Sequence, residues 1–86
     1  MRTVWKYTFE ISDDEQVRIM PSNARPLFVE MQDFVPCLWA EVDTASKSRP
    51  FTFRIFGTGH VIPDGYEHVG TFQQPPYVWH LYNKGQ

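Results

Sequence analysis

Apolar and polar side chains alternate with a period of two along several short runs, and this spacing most constrains the fold. In the run 51–56, Phe51, Phe53 and Ile55 fall on one face, and Arg54 and Phe56 fall on the other. Successive side chains of a β-strand point to opposite faces, so this period is typical of a strand. No run shows the three-to-four spacing of an amphipathic helix. The pattern therefore predicts an all-β protein.

Seven such runs are separated by turn-forming Gly, Pro, Asn, Asp and Ser residues. The predicted strands lie at about 3–11, 17–20, 26–32, 36–43, 51–56, 66–73 and 77–83. Many short strands with turn residues every 8–12 positions are typical of sandwiches and barrels. We therefore expect one domain over residues 1–86, a small antiparallel sandwich or partly open barrel of six to seven strands.

The order of the runs predicts how the strands pair. Runs 3–11 and 17–20 are expected to form a hairpin, with Val17 and Ile19 turned inward. Runs 26–32, 36–43 and 51–56 are expected to form a meander. Residues on one face of these runs are the candidate core, among them Leu38, Ala40 and Val42.

Composition excludes several classes of protein. The single cysteine, Cys37, permits no internal disulfide, whereas small secreted domains usually carry several. No apolar run approaches ~18 residues, the length of a membrane-spanning helix, and residues 1–30 lack the pattern of a signal peptide. A cytoplasmic protein is the expectation.

The charge pattern does not favour a nucleic-acid partner. The formal net charge is −2, and the 8 Lys and Arg residues are scattered along the chain. Proteins that hold a phosphate backbone cluster their positive charge instead. The 10 carboxylates are equally dispersed, which does not fit a mimic of DNA.

The high aromatic content, 16% of the residues, points to a protein partner. In the predicted meander, Phe28, Trp39, Arg54 and Phe56 share the face opposite the core. Phe, Trp and Arg are enriched at interaction surfaces. The sequence therefore predicts a partner-binding surface made of these four residues and the Gly57–Gly65 loop. The same surface could also join two copies into a homodimer.

The turn after the strongest strand provides an alternative binding site. Gly57, Thr58, Gly59 and His60 could present backbone N–H groups to an anion, because glycine allows a close approach. A small-ligand or nucleotide site would then use Trp39 or Tyr77 to stack on a base. A glycine-kinked strand end explains the same residues without a ligand.

A metal-dependent enzyme is the last alternative. It would use His60, His68 and His80, joined by Cys37, Asp64 or Glu67. The histidine separations of 8 and 12 residues differ from the close pairs of common zinc sites, so we predict no metal or cofactor. A free cysteine outside any Cys-His motif is typically a small buried apolar residue, and this is the prediction for Cys37.

Three segments carry a resemblance to a known group of proteins. They are residues 4–7 (VWKY), 53–60 (FRIFGTGH) and 78–81 (VWHL). Together they resemble a family of small, functionally uncharacterised proteins of tailed phages and prophages. The resemblance implies a phage context and a partner in the host, such as a component of host defence. It implies no catalytic residues, and a non-catalytic binding protein is the leading hypothesis.

Overall fold

The computed structural model describes residues 1–85, which form seven β-strands connected by loops. The strands are β1 (Arg2–Thr8), β2 (Gln16–Pro21), β3 (Arg25–Gln32), β4 (Val35–Asp43), β5 (Ser48–Gly57), β6 (Tyr66–Gln74) and β7 (Tyr77–Lys84). No helix in this part of the chain is long and apolar enough to cross a membrane.

The strands form two antiparallel sheets packed face to face as a sandwich. Sheet A has the order β1-β4-β3, and sheet B has the order β2-β5-β7-β6. The sheets are not closed into a barrel. The predicted all-β sandwich of six to seven strands is therefore confirmed.

The core lies between β4 and β5, where the alternating pattern is most regular. Leu38, Ala40 and Val42 of β4 are buried, and so are Phe51, Phe53 and Ile55 of β5. Of the two faces that the alternation defines, the structure buries the one that carries these residues. The Phe53 ring meets Phe9 edge-on at 5.0 Å between centroids and stacks on Phe51 at 6.4 Å. A triplet of phenylalanines thus fills the centre of the sandwich.

The predicted hairpin of β1 and β2 is wrong. Strand β1 pairs with β4 in sheet A, and β2 pairs with β5 in sheet B. The loop 9–15 therefore carries the chain from one sheet to the other. Phe9, at the start of this loop, is buried against Phe53. Burial of this ring favours a loop that passes from sheet A to sheet B over a hairpin turn between β1 and β2.

The predicted inward face of β2 is also wrong. Val17 and Ile19 are exposed at 52% and 63%, whereas Met20 is buried. The register pairs Val17 with Thr52 and Arg18 with Phe51. Directly opposed residues point to the same side of a sheet, so pairing with β5 turns Arg18 and Met20 toward the core. Arg18 is accommodated there by lying over the Phe9 ring, 4.8 Å from its centroid.

The predicted meander is half right. Strands β3 and β4 form a hairpin, but β4 and β5 belong to different sheets and face each other across the core. The face of β4 that points away from the core therefore lies on the opposite side of the molecule from the corresponding face of β5. This separation decides where the predicted partner-binding residues lie.

The two sheets approach most closely where β3 packs against β6. Both strands carry an irregularity there, between Pro26 and Phe28 in β3 and between His68 and Gly70 in β6. A Cβ atom placed on Gly70 would lie 2.5 Å from Cγ2 of Val29. Glycine at position 70 is therefore required by contact between the sheets.

Candidate binding surface at the loop end

Four loops meet at one end of the sandwich, which we call the loop end. They are residues 9–15, 33–34, 58–60 and 75–76, and the loop end includes Tyr77, which follows the last of them. The rest of the loop after β5, residues 61–65, leads to the opposite end of sheet B, where the Gly65 carbonyl accepts a hydrogen bond from the Gly85 N–H. Strand pairing brings them together, because Thr8 at the end of β1 faces Cys37 near the start of β4, and Gly57 at the end of β5 faces Trp79 near the start of β7. The surface depressions described below connect these loops.

Phe34 lies at the centre of this arrangement. It lines a depression of about 450 Å³ together with Phe9, Ile11 and Pro36. On its other side it lines a second depression, of about 470 Å³, with Met31 and Pro75. Its side chain is 95% exposed, the highest value among the large apolar residues of the described chain.

The backbone at Phe34 is held in an unfavourable conformation. Gln32 pairs with Val35, so Asp33 and Phe34 form a two-residue hairpin loop. Their φ angles are 50° and 68°, the combination of a type I′ turn, which strongly prefers Asn-Gly. A bulky residue at positive φ is strained, at a cost of about 1–2 kcal/mol. The turn therefore presents an aromatic ring to solvent where glycine would fold better.

A cleft of about 410 Å³ lies next to this hairpin. It is lined by Gly57, Thr58, His60, Pro76, Tyr77, Val78 and Trp79. The Tyr77 and Trp79 rings lie 5.8 Å apart at a tilt of 36°, and Tyr77 is 60% exposed. Of the two aromatic residues predicted to stack on a base, the structure thus brings Tyr77 to the Gly57–His60 turn, while Trp39 lies in the other sheet.

The hydrogen bonds of the Gly57–His60 turn are largely satisfied within the turn. The Gly57 N–H donates to Nδ1 of His60 at 3.2 Å, and the His60 N–H donates to the Gly57 carbonyl at 3.1 Å. Two backbone donors that an anion would need are therefore already engaged. The turn is better described as a closed β-turn with Gly59 at φ 90° than as an open phosphate nest.

Further exposed apolar side chains lie near the hairpin and in the loop after β5. Ile11 and Val35, at 38% and 37% exposure, line the depression beside Phe34. Val61 and Ile62, at 86% and 39% exposure, belong to the Gly57–Gly65 loop, which the sequence predicted as part of the partner-binding surface. Sequence reasoning missed Phe34 as a functional candidate. The available signal was an aromatic residue following Asp33 in a two-residue turn, which points to an exposed ring only once the pairing of Gln32 with Val35 is known.

The chain matches a family model over its whole length. The matched model, which covers residues 1–86, is described as a domain of unknown function, DUF7352. The chain belongs to the DUF7352 family. Neither the curated proteins nor the solved structures include a significant match to it. The functional argument for this DUF7352 chain therefore rests on its own residues.

The four residues of the predicted partner-binding face lie on two separate surfaces of the DUF7352 chain. Phe28 and Trp39 lie together on the outer face of sheet A, the face turned away from sheet B, with ring centroids 5.9 Å apart. Phe28 is 54% exposed. Arg54 and Phe56 lie on the outer face of sheet B, so the single face predicted from a meander does not exist.

Phe56 is covered although it points away from the core. It is only 2% exposed, because the Tyr66 and Tyr82 rings meet it edge-on at 5.5 and 5.4 Å between centroids. The Arg54 guanidinium lies over the same ring at 4.9 Å. These residues form a small aromatic cluster that seals sheet B.

Tyr66 also anchors the loop 9–15. Its hydroxyl donates to Glu15 at 2.7 Å, and Lys84 forms an ion pair with the same carboxylate at 3.3 Å. The hydrogen bond from Tyr66, and then Lys84, lower the pKa of Glu15 below its ordinary value.

Replacing Tyr66 by Phe should raise the pKa of Glu15 toward its ordinary value, because it removes the largest cause of the shift. In the wild type, the stabilisation linked to Glu15 is present above the ordinary carboxyl pKa. It is lost as the pH falls through the lowered pKa of the folded state. An NMR titration of the Glu15 side chain measures the change, with Tyr77→Phe as the matched control. An unaltered Glu15 titration in Tyr66→Phe would contradict the assignment.

Two of the three histidines belong to a chain of hydrogen bonds on sheet B. Thr71 Oγ1 lies 2.9 Å from Nε2 of His68 and 3.0 Å from Nδ1 of His80, and Nε2 of His80 lies 2.9 Å from Thr58 Oγ1. His60 faces Gly57 and Trp79 instead. Within residues 1–85 no three His, Cys, Asp or Glu side chains are arranged to hold a metal ion.

Cys37 is 1% exposed and lies on the outer face of sheet A. Its direct neighbours in the register are Thr8 of β1 and Glu30 of β3. The side chains of Lys6 and Gln32, from the strands on either side of β4, are joined by a hydrogen bond of 2.8 Å. The Cys37 thiol donates to the Val35 carbonyl at 3.4 Å. The thiol is therefore packed away from solvent, as predicted for a small buried residue.

Proposed function

We propose that the protein is a non-catalytic binding module that engages a protein partner through its loop end. The observation that carries this proposal is Phe34, an aromatic side chain 95% exposed on a strained two-residue turn. Backbone strain that persists at an exposed site is a hallmark of functional positions, because folding alone would select against it.

The surroundings of Phe34 support a protein partner. Apolar side chains line the depressions on both sides of it, with Phe9 and Ile11 in one and Met31 and Pro75 in the other. Aromatic anchors at the centre of an apolar patch dominate the energy of protein interfaces. Contiguous exposed apolar surface of this kind marks interaction sites in soluble proteins.

The resemblance to small phage proteins supports a narrower proposal, that the partner is a component of host defence. A second copy of the chain is the other partner that the aromatic content indicates. Sedimentation of the purified protein separates these, because a homodimer forms without any host component.

The small-ligand alternative has one observation in its favour, the position of Tyr77 beside the Gly57–His60 turn. No Lys or Arg lines that cleft, and two amides of the turn are engaged internally. These facts favour a protein partner over a nucleotide.

Replacing Phe34 by Gly should abolish partner capture while it stabilises the fold. The variant removes the exposed ring and relieves the strain at positive φ, which should raise the free energy of unfolding by about 1 kcal/mol. The measurement is a pull-down from host cells with immobilised wild type and variant, paired with urea unfolding of both proteins.

Phe28→Ser is the matched control, since it removes an exposed aromatic residue from the outer face of sheet A. If the loop end is the interface, the Phe28→Ser variant should still capture the same partner in the pull-down. Capture that survives Phe34→Gly and disappears with Phe28→Ser would transfer the site to the Phe28–Trp39 pair. Equal capture by all three proteins would refute the loop end as the binding surface.

A further inference from the structure

Two depressions at the loop end adjoin at the His60 and Trp79 side chains, which line both of them, and we take them as the two halves of one groove. One half is the cleft lined by Gly57, Pro76 and Tyr77. The other half, of about 240 Å³, is lined by Ile11, Ser12 and Asp13. Both halves share His60 and Trp79, so an extended ligand could follow the groove from Tyr77 to Asp13.

We propose that this groove binds a proline-rich peptide segment in the polyproline II conformation, with a basic residue of the peptide beside Asp13. This inference rests on the proposed function and specifies the class of partner. It concerns Tyr77, Trp79, His60 and Asp13, whereas the proposed function is carried by Phe34.

The aromatic lining is the first argument. Tyr77 and Trp79 are tilted by 36° at 5.8 Å between centroids, and Pro76 stands beside them. Grooves lined by aromatic side chains recognise polyproline II segments, whose proline rings pack on them, and the peptide is already close to its bound conformation. The Tyr77 ring, 60% exposed, and the half-buried Trp79 ring behind it provide such a surface.

The hydrogen-bonding capacity of the groove is the second argument. The Trp79 indole N–H donates to Gln74 at 3.1 Å, and the Gly57 N–H donates to His60 Nδ1. Because Nδ1 accepts that bond, the neutral His60 ring carries its proton on Nε2. Within residues 1–85 no hydrogen bond engages Nε2, so this N–H can donate to a peptide carbonyl. A proline-rich segment offers carbonyls and few N–H donors, so one of its carbonyls is the partner expected for the His60 Nε2–H.

The charge of the groove is the third argument. Asp13 lines one end and Asp14 follows it in the chain. Neither half of the groove is lined by Lys or Arg. A peptide cation near Asp13 would therefore meet an opposite charge, whereas a phosphate or acidic peptide would meet a like charge.

The test is a titration of the isotope-labelled protein with a blocked peptide of six prolines followed by two arginines. We expect chemical-shift changes at the Trp79 indole N–H and at the Gly57 amide. Tyr77→Ala should weaken binding at least about tenfold, as truncation of an aromatic anchor does. Asp13→Lys should weaken it several-fold, by a factor that shrinks as salt is added.

Two control peptides and one control variant make the result decisive. A peptide with Gly and Ser in place of the prolines, and one with Glu in place of the arginines, should bind more weakly. Phe28→Ala, which alters an exposed aromatic residue outside the groove, should bind as the wild type does. No binding to the wild type at millimolar peptide, equal binding of the Gly-Ser peptide, or shifts in the groove with ATP instead would each overturn the assignment. Such a failure leaves the proposed function to be decided by Phe34→Gly alone.

Discussion

Truncation of Phe53 to Ala should remove about 3–5 kcal/mol from the free energy of unfolding. Phe53 is 2% exposed and contacts both Phe9 and Phe51, so the cavity would open at the centre of the sandwich. Domains of this size have stabilities on the order of 5–15 kcal/mol in total. The variant should therefore lose a large part of its stability.

Urea unfolding of the two proteins measures this loss directly. Phe34→Ala is the matched control, because it deletes the same atoms from a ring that is 95% exposed. It should change stability by no more than about 0.5 kcal/mol, or increase it. Similar values for the two variants would contradict the assignment of Phe53 to the core and of Phe34 to the surface.

Replacing Gly70 by Ala should cost about 1–3 kcal/mol, the usual penalty for overpacking. The added methyl group would lie 2.5 Å from Cγ2 and 2.9 Å from Cβ of Val29. These atoms belong to the backbone-proximal part of a β-branched side chain, which cannot swing away as the end of a long side chain can. The sheets would have to separate where β3 meets β6.

A double-mutant cycle with Val29→Ala identifies the cause. Val29→Ala removes the closest atom, so Gly70→Ala should cost less in that background, with a coupling of about 0.5–3 kcal/mol. Gly57→Ala is the control, since its new atom would meet the mobile imidazole of His60 at 3.0 Å, and it should cost less. Strictly additive effects of Gly70→Ala and Val29→Ala would argue against the contact.

Local periodicity predicted the strands of this protein well. The alternation in β4 and β5 identified Leu38, Ala40 and Phe53 as core residues, because both strands have one face buried along their length. The turn at Asp33 and the break at Pro75 and Pro76 were also recognisable, since turn residues separate two alternating runs. These features depend on neighbouring residues and on the period of two.

Strand pairing could not be predicted in the same way. The alternation within a strand does not indicate which strand it pairs with. Strands β1 and β2 pair with β4 and β5 instead of with each other, and Val17 and Ile19 therefore lie on the exposed face instead of the buried one. A shift of one residue exchanges the two faces of a strand. The alternating run 16–21 could therefore satisfy either arrangement until the position of β5 was known.

The candidate site was harder to predict than the fold. Arg54 and Phe56 look exposed from the alternation of β5, but Tyr66 and Tyr82 of distant segments cover Phe56. Phe34 and Tyr77 lie 43 residues apart in the chain and come to the same end only through the pairing of two hairpins. Binding surfaces made of loop tips depend on topology, which the period of two does not contain.

The packed position of Cys37 makes its thiol a natural reporter of local opening of the fold. A thiol reagent can reach this sulfur, which is 1% exposed, only when the packing around it opens locally. Under native conditions the modification rate therefore reports that local opening, as amide exchange does for backbone groups. With a single cysteine in the chain, every modified molecule records the same event. The measurement of thiol modification needs no engineered cysteine.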